Sequence, residues 1–345
     1  MTDLALCGAG RITMAHALAA AAVPGLRITR VASRDPARAA ERATQVGARP
    51  CRYDELPDGA DVVLVATPPA RHAEDALRAL AGGAVALVET PLCTTLADAD
   101  RLVAADHRAG GGRLAYGENL VHSPIVTEAR RRAGALGPLT YVETRALQPR
   151  PAGGGATDAA WGGGALFDLG AHPLAAALLL AGDDPAVAVR ARLDADDGLG
   201  VDDEGELWLR FRSGLAAHVV ASWRYETTVW DIQASSETGV VRAELAPTAT
   251  VERDGEPVGL PGVRPGVDVA QIDQFGFVAQ LEDVGRVAAG GGPPRSGAEL
   301  GRAVLDVVCA AYASAGDGGT EVALPFAGPR DRTPVELWRP AGTDR

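Results

Sequence analysis

Along the first third of the chain, short and almost wholly apolar runs alternate with longer stretches in which small apolar residues recur at helical spacing. Asp3–Cys7, Leu26–Ala32, Asp61–Ala66, Ala84–Glu89 and Arg113–Gly117 read as strands. Met14–Ala22, the stretch that ends at Leu80, Thr95–Ala109 and Ser123–Ala133 read as helices. A strand without polar alternation has no solvent face, so this order predicts a parallel sheet covered by helices on both sides. After residue 135 the period changes. Leu139–Ala146, Val187–Leu193, Glu206–Phe211 and Leu215–Trp223 look like strands, and Leu207, Leu209 and Phe211 alternate with Glu206, Trp208 and Arg210. Phe211–Leu215 (FRSGL) reads as a hairpin turn, which predicts an antiparallel sheet with the Asp168–Ala181 helix on one side. Pro247–Gly266, rich in Pro and Gly, reads as an irregular excursion; Val269–Val287 and Ala298–Ala313 read as helices separated by a turn at Gly290–Pro294. The expected architecture is an α/β domain with a doubly wound parallel sheet over residues 1–119, followed by an α+β domain with a mostly antiparallel sheet over 120–345.

At 345 residues the chain is long for one core and comfortable for two. A formal net charge of -12 and a pI near 5.0 argue against nucleic acid or an anionic membrane surface as the main partner. No apolar run reaches the roughly 20 residues of a bilayer-spanning helix. The opening MTDLALCGAG enters a strand directly, with no basic leader, so the expectation is a cytoplasmic protein without a membrane partner. Cys7, Cys51, Cys93 and Cys309 are far apart and make no C-x-x-C pair, so neither a disulfide framework nor a metal site is expected. The chain has no lysine: all 33 basic residues are arginines, which removes one type of catalytic group.

Candidate chemistry starts at Gly8-Ala9-Gly10-Arg11-Ile12-Thr13, between the first strand and its helix. Such a turn aims helix N-terminal amides at a pyrophosphate, although the same segment also reads as an ordinary strand–helix connection. Thr13 stands where a third glycine would allow close packing, so a looser helix–strand contact is expected. At the tip of the second strand, where an Asp or Glu would accept the ribose hydroxyls of NAD, the chain has Ser33 and Arg34. A hydroxyl and a guanidinium suit a phosphate, so NADP(H) is favoured over NAD(H), with Asp35 next door as the opposing feature. Arg34 equally reads as a solvated charge at the start of a helix. Thr67, Pro68, His72, Glu89, Thr90 and Pro91 fall at the carboxyl edge of the sheet, where ligands of such folds bind.

In the second half, Trp161–His172 reads WGGGALFDLGAH. Its three glycines give a backbone able to approach a ligand closely, and Gly153–Ala160 before them reads as a mobile loop. Asp168 and His172 are four apart, on one face if a helix begins near Asp168. A carboxylate that orients an imidazole suits general acid–base work near neutral pH; the alternative is a helix N-cap and a satisfied surface histidine. Trp208, Trp223 and Trp230 are read either as an aromatic face for subunit packing or as a small core within one subunit.

In order along the chain, GAGRITMAHA, VATPPARHAEDAL, VETPL, GENLVHSPI, GGGALFDLGAHPL and the closing QFGFVAQLEDVGRVAAGGG resemble the glucose-fructose oxidoreductase and inositol dehydrogenase (Gfo/Idh/MocA) family over nearly the whole length. The resemblance implies a Rossmann domain holding a nicotinamide dinucleotide, here through Gly8, Gly10, Arg11, Ile12, Ser33, Arg34, Thr67, Pro68, His72, Glu89, Pro91 and Asn119. It implies a second domain whose open sheet supports a homodimer or homotetramer. The substrate, usually a sugar, cyclitol or related polyol, would lie between the nicotinamide and the loop carrying the Asp-x-x-x-His pair, Asp168 and His172 here, with Tyr116, His122 and Trp161 as substrate-facing residues. Family members usually read Glu-Lys-Pro, often with a cis bond before the proline, where this chain has Glu89-Thr90-Pro91. The family lysine bonds the reacting hydroxyl and supplies positive charge; Thr90 supplies only a hydrogen bond, and an arginine is effectively never deprotonated. Three readings follow. Either hydride transfer persists with His172 as acid–base and Tyr116 or His122 covering for the lysine, or the chemistry is that of an imine reductase or a redox-neutral NAD-using glycosidase or lyase. In the third, the chain binds a dinucleotide without catalysis, against which the presence of both Asp168 and His172 weighs.

Overall fold

In the computed structural model, which describes residues 1–152, 155–196, 198–260 and 270–339, the two-sided apolar runs do form a parallel sheet. Its strands are β1 (Thr2–Cys7), β2 (Leu26–Ala32), β3 (Arg49–Cys51), β4 (Val62–Val65), β5 (Val85–Val88) and β6 (Leu114–Tyr116). Their order is β3-β2-β1-β4-β5-β6, every neighbouring pair being parallel. Each residue of β4 and β5 is buried, as helices on both faces require. The edge strand β3 was not anticipated; three residues with a central proline carry no periodic signal.

The chain folds into two compact units: Met1–Cys93, Ala97–Ser123 and Arg264–Arg302 in the first, Thr94–Leu96, Pro124–Val263 and Ala303–Arg345 in the second. This division differs from a single cut at 119/120, because the helix Phe277–Ala288 packs on the first sheet. Val278, Leu281, Val284 and Val287 join the core cluster of Leu4, Leu6, Val62, Leu64, Val85 and Leu87. Their spacing announces an apolar stripe but carries no address for it. The single helix expected over 269–287 is broken, with Ala270–Gln274 and Phe277–Ala288 meeting at a turn where Gly276 has φ +92°.

The second unit holds β7 (Leu139–Pro149), β8 (Ala186–Asp194), β9 (Glu204–Phe211), β10 (Ala216–Ser222), β11 (Arg224–Ser236), β12 (Gly239–Ala246), β13 (Thr250–Arg253), β14 (Glu256–Pro257) and β15 (Val322–Ala323). Among the described residues they form one sheet ordered β14-β13-β12-β11-β7-β10-β9-β8-β15, antiparallel except for the β7–β10 pair. The expected strands 139–146, 187–193, 206–211 and 215–223 are β7 to β10. β11 and β12 lay outside that reading because the first five residues of β11 are exposed and polar-rich, which masks its alternation. Within the expected irregular excursion, β13 and β14 pair through Asp254-Gly255, both at positive φ, as an Asp-Gly hairpin turn demands. Residues 261–266 of that excursion lie outside the described residues, as do Gly153 and Gly154 of the expected mobile loop.

The three tryptophans do not share one face. Trp208 is 41% exposed and stacks on His218 (ring centroids 5.2 Å apart, 13° between planes) on the open side of the sheet, whereas Trp223 is 2% exposed and packs with Ala165 and Leu169. The helix Ala171–Ala181 covers β7 and β10, and Thr144 Oγ1 of β7 donates to the Pro173 carbonyl in its first turn (2.8 Å). Ahead of it, the glycine triplet packs against its own surroundings. A Cβ on Gly164 would lie 2.0 Å from the Asp202 carbonyl oxygen, and one on Gly163 2.5 Å from Phe167 Cβ. Asp202 accepts from the amides of Gly164 (3.1 Å) and Leu166 (2.7 Å) and from the Tyr312 hydroxyl, so a buried carboxylate caps the short helix Ala165–Asp168.

Burial pushes the Asp202 carboxyl up to about 6, despite the donors around it. The unfolded chain titrates near 4, so the stabilising contribution is complete below about pH 4 and is lost as pH rises through 6, on the order of 3 kcal/mol. Asp202→Asn cannot ionise and lacks this component. The urea midpoint of the wild type is therefore expected to fall relative to that of Asp202→Asn between pH 4 and pH 7; parallel pH profiles for the two proteins would contradict the assignment.

Candidate functional site

In the first unit, β1 ends in a turn that only glycine can make. Gly8 has φ +131°, and a Cβ there would lie 2.3 Å from the Ala66 carbonyl oxygen at the end of β4. A Cβ on Gly10 would meet nothing within 4 Å, so the outer side of the turn is open. The helix Ile12–Ala21 then starts at Arg11 with no side-chain cap and no acidic residue in its first turn, leaving the positive end of its dipole uncompensated. Thr13, expected to loosen the packing, is fully buried and donates to the Gly10 carbonyl (2.6 Å), closing the turn. Arg42 Nη2 donates to the same carbonyl (3.2 Å). Open amides beside a guanidinium fit a pyrophosphate.

At the tip of β2, Asp35 caps the helix Pro36–Val46 by accepting from the Ala37 amide (2.9 Å). Its carboxylate is thereby engaged, while Arg34 is exposed and Ser33 Oγ receives the Asp35 amide (3.3 Å).

The carboxyl ends of β4 and β5 are tied together from inside. Thr67 Oγ1 donates to Asp75 (2.9 Å), whose buried carboxylate also receives Arg71 (2.8 Å) and Arg78 (3.0 Å), and Pro68 precedes the first turn of the helix Pro69–Ala81. His72, expected to bind cofactor, is 1% exposed, with Nδ1 2.9 Å from the Pro91 carbonyl and Nε2 2.7 Å from that of Thr67. Burial lowers its pKa while the two carbonyls oppose that push; in its neutral form the ring has one N–H, so it donates to one of the two carbonyls and packs against the other. Glu89 pairs with His16 of the first helix, a residue that sequence reasoning passed over although it lies inside GAGRITMAHA. Thr90, half-buried, follows, and the Thr90–Pro91 bond is cis.

Two expected substrate-facing residues turn out to be internal. Tyr116 is 1% exposed, and burial, with the Glu118 and Glu89 charges, drives its phenol well above the usual range. His122 accepts at Nδ1 from Arg295 (2.8 Å), and burial together with that guanidinium pushes it down to about 4. A neutral phenol and a neutral imidazole supply no positive charge, so neither covers for the lysine. Asn119 is buried and donates to the Phe275 carbonyl (2.7 Å), holding the chain after β6 against the later segment.

In the second unit, Asp168 is the last residue of the helix Ala165–Asp168 and His172 the second of Ala171–Ala181, across a 49° bend. The longer helix is capped at Gly170 without a side chain, so Asp168 is not its N-cap. Asp168 and His172 are both half-buried, and the imidazole lies against Trp230 of β11 (5.2 Å, 38°). Trp161, also half-buried, packs directly on the Gly155 backbone. Asp202, Tyr312 and Trp230, which fix this segment, were invisible as such; the acidic pair Asp202-Asp203, both fully buried, was the available signal.

Residues 2–114 match the family model described as an oxidoreductase family with an NAD-binding Rossmann fold, and residues 127–242 match the GFO/IDH/MocA C-terminal domain. The dTDP-3,4-didehydro-2,6-dideoxy-alpha-D-glucose 3-reductase of Streptomyces violaceoruber is 32% identical over 257 residues, covering 71% of this chain and 74% of its own. Among solved structures, GenD2 from gentamicin A biosynthesis in complex with NAD superposes with a TM-score of 0.82 at 28% identity, covering 94% of this chain and 96% of its own. The aldose-aldose oxidoreductase from Caulobacter crescentus complexed with glycerol gives 0.82 at 27%, covering 94% and 99%. Both halves of the chain are accounted for by one family, and the protein belongs to it: it is a Gfo/Idh/MocA oxidoreductase whose first unit carries the NAD-binding Rossmann fold.

Proposed function

We propose that this oxidoreductase moves a hydride between NADP(H) and a secondary alcohol or keto carbon of a sugar or related polyol, with His172 as the general acid–base and Asp168 orienting it. The observation that carries the reading is the Gly8–Thr13 turn, open on its outer side and uncapped, at the carboxyl edge of a sheet ordered 3-2-1-4-5-6. Bound there, a nicotinamide dinucleotide supplies or accepts the hydride. The chain's own work is to hold its phosphates at Gly8, Gly10, Arg11 and Ile12, and to hand a proton to or from the substrate oxygen at His172. The preference for NADP(H) is supported by Asp35 being engaged as a helix cap, which leaves Ser33 and the exposed Arg34 as the groups at the strand tip. The substrates named for the relatives, a dTDP-linked deoxy sugar and aldoses, support a carbohydrate. Self-association through the open face of the large sheet is supported by the exposed Trp208.

A second reading rests on Thr90. With no lysine in the chain, and with Tyr116 and His122 neutral, transition-state charge at this position is lower than hydride transfer from an alcohol favours. An iminium substrate, or a redox-neutral use of tightly held NAD, tolerates that better.

Nicotinamide absorbance at 340 nm with panels of keto-sugars, aldoses, sugar nucleotides and cyclic imines separates the two. The first reading expects NADPH consumption with a carbohydrate, and His172→Ala is expected to lower kcat/KM at least a hundredfold while NADPH still binds; near-normal turnover in that variant removes the acid–base role. Product formation without net absorbance change, by protein that keeps its dinucleotide through desalting, favours the second.

Arg34→Ala is expected to raise the KM for NADPH about tenfold and leave that for NADH unchanged, and equal effects on both would overturn Arg34 as the group that reads the 2′-phosphate. Trp208→Arg is expected to shift the mass measured by light scattering on a sizing column toward the monomer; an unchanged mass argues for another interface.

A further inference from the structure

Glu89 sits at the carboxyl end of β5, next to the position where this chain has Thr90. In a sheet of this order the adenosine half of a dinucleotide lies over β1–β2–β3 and the other half over β4–β5–β6, so Glu89 is on the nicotinamide side. One of its carboxylate oxygens, Oε1, meets Nε2 of His16, which reaches it from the second turn of the glycine-turn helix. The imidazole is fully buried and stands edge-on to Phe277 (5.2 Å, 88°). Its Nδ1 is buried without a hydrogen-bond partner among the described residues. A carboxylate only accepts, so the shared proton belongs to Nε2.

A buried ring nitrogen left unsatisfied is costly, and at a core position on an alanine-rich helix a leucine would pack without that cost. What a histidine adds at this position is one donor, aimed at Glu89. The Glu89 side chain keeps 11% of its surface exposed, so the carboxylate is held by one oxygen while its other side reaches the sheet edge. Two residues on, the Pro91 carbonyl lies 2.9 Å from His72 Nδ1, so Thr90 stands between two neighbours that each meet a histidine ring.

We infer that His16 is a positioning residue for the nicotinamide end of the bound dinucleotide: its Nε2–H fixes the Glu89 carboxylate, and Glu89 sets where Thr90 and the exposed carboxylate surface stand. This rests on the cofactor site of the preceding section.

The test is a fluorescence titration of wild type, His16→Gln, His16→Leu and Glu89→Gln with NADPH, repeated with 2′,5′-ADP, which lacks the nicotinamide half. His16→Leu and Glu89→Gln are expected to bind NADPH about tenfold more weakly, with the nicotinamide emission maximum moved toward that of free cofactor, yet to bind 2′,5′-ADP like wild type. His16→Gln, which keeps an N–H donor, is expected to restore both the affinity and the emission maximum. Equal losses for both ligands would make His16 a general stability residue and overturn the inference, as would wild-type NADPH binding by His16→Leu or no recovery in His16→Gln. Failure of the wild type itself to bind NADPH or NADH would instead bring down the cofactor assignment, and this inference with it.

Discussion

A carboxylate enters a protein interior only where donors surround it, and in this chain each buried carboxylate named below consequently staples together segments that the sequence leaves apart. Asp202 gathers two amides and a tyrosine hydroxyl and so fixes the start of the helix that ends at Asp168. Asp75 gathers Thr67, Arg71 and Arg78 and so fixes the loop after β4. Asp106 takes the amides of Gly112, Arg113 and Leu114 and holds the approach to β6. Glu89 takes His16 and locks the tip of β5 to the glycine-turn helix. Without lysine, the chain relies on backbone amides, hydroxyls, arginine and histidine as the donors in these staples.

The same constraint decides which titratable groups remain available for chemistry. His72, His122 and Tyr116 look like site residues in sequence because each stands at a strand end or just beyond one. In the folded first unit all three are internal, and burial biases each toward its neutral form. His172 differs. It is half-buried at the start of a helix, with one face against Trp230, an environment that orients a ring without enclosing it.

The large sheet of the second unit divides its labour by face. One side carries Ala146 and Ala221, which pack with Trp223 against Ala165 and Leu169 of the helical segment, and the other is a polar surface on which His218 lies between Glu143 (3.4 Å) and Glu206 (3.2 Å) and Arg145 pairs with Asp231 (2.9 Å). Trp208 is a large apolar group on that surface, its indole stacked on His218. A surface of this mixed kind is compatible with a wet, specific interface and gives little reason for nonspecific association.

Periodicity and local chemistry determined a good deal. The near-continuous apolar runs dictated a two-sided parallel sheet, because such strands have no face to give to water. The Gly8–Thr13 turn and the alternation of β9 were equally local, since a turn and a strand are each specified by neighbouring residues. Tertiary structure alone decided the rest. An apolar stripe at 278–287 does not say which sheet it covers, a histidine in a helix does not say that a glutamate 73 residues away shares its proton, and Asp168 does not say that a bend separates it from the helix of His172. Nor did Gly163 and Gly164 say that their missing side chains make room for Phe167 and Asp202. What each segment prefers is written in its own residues; which polar groups are buried, and by whom they are satisfied, is settled only when distant segments compete for the same interior.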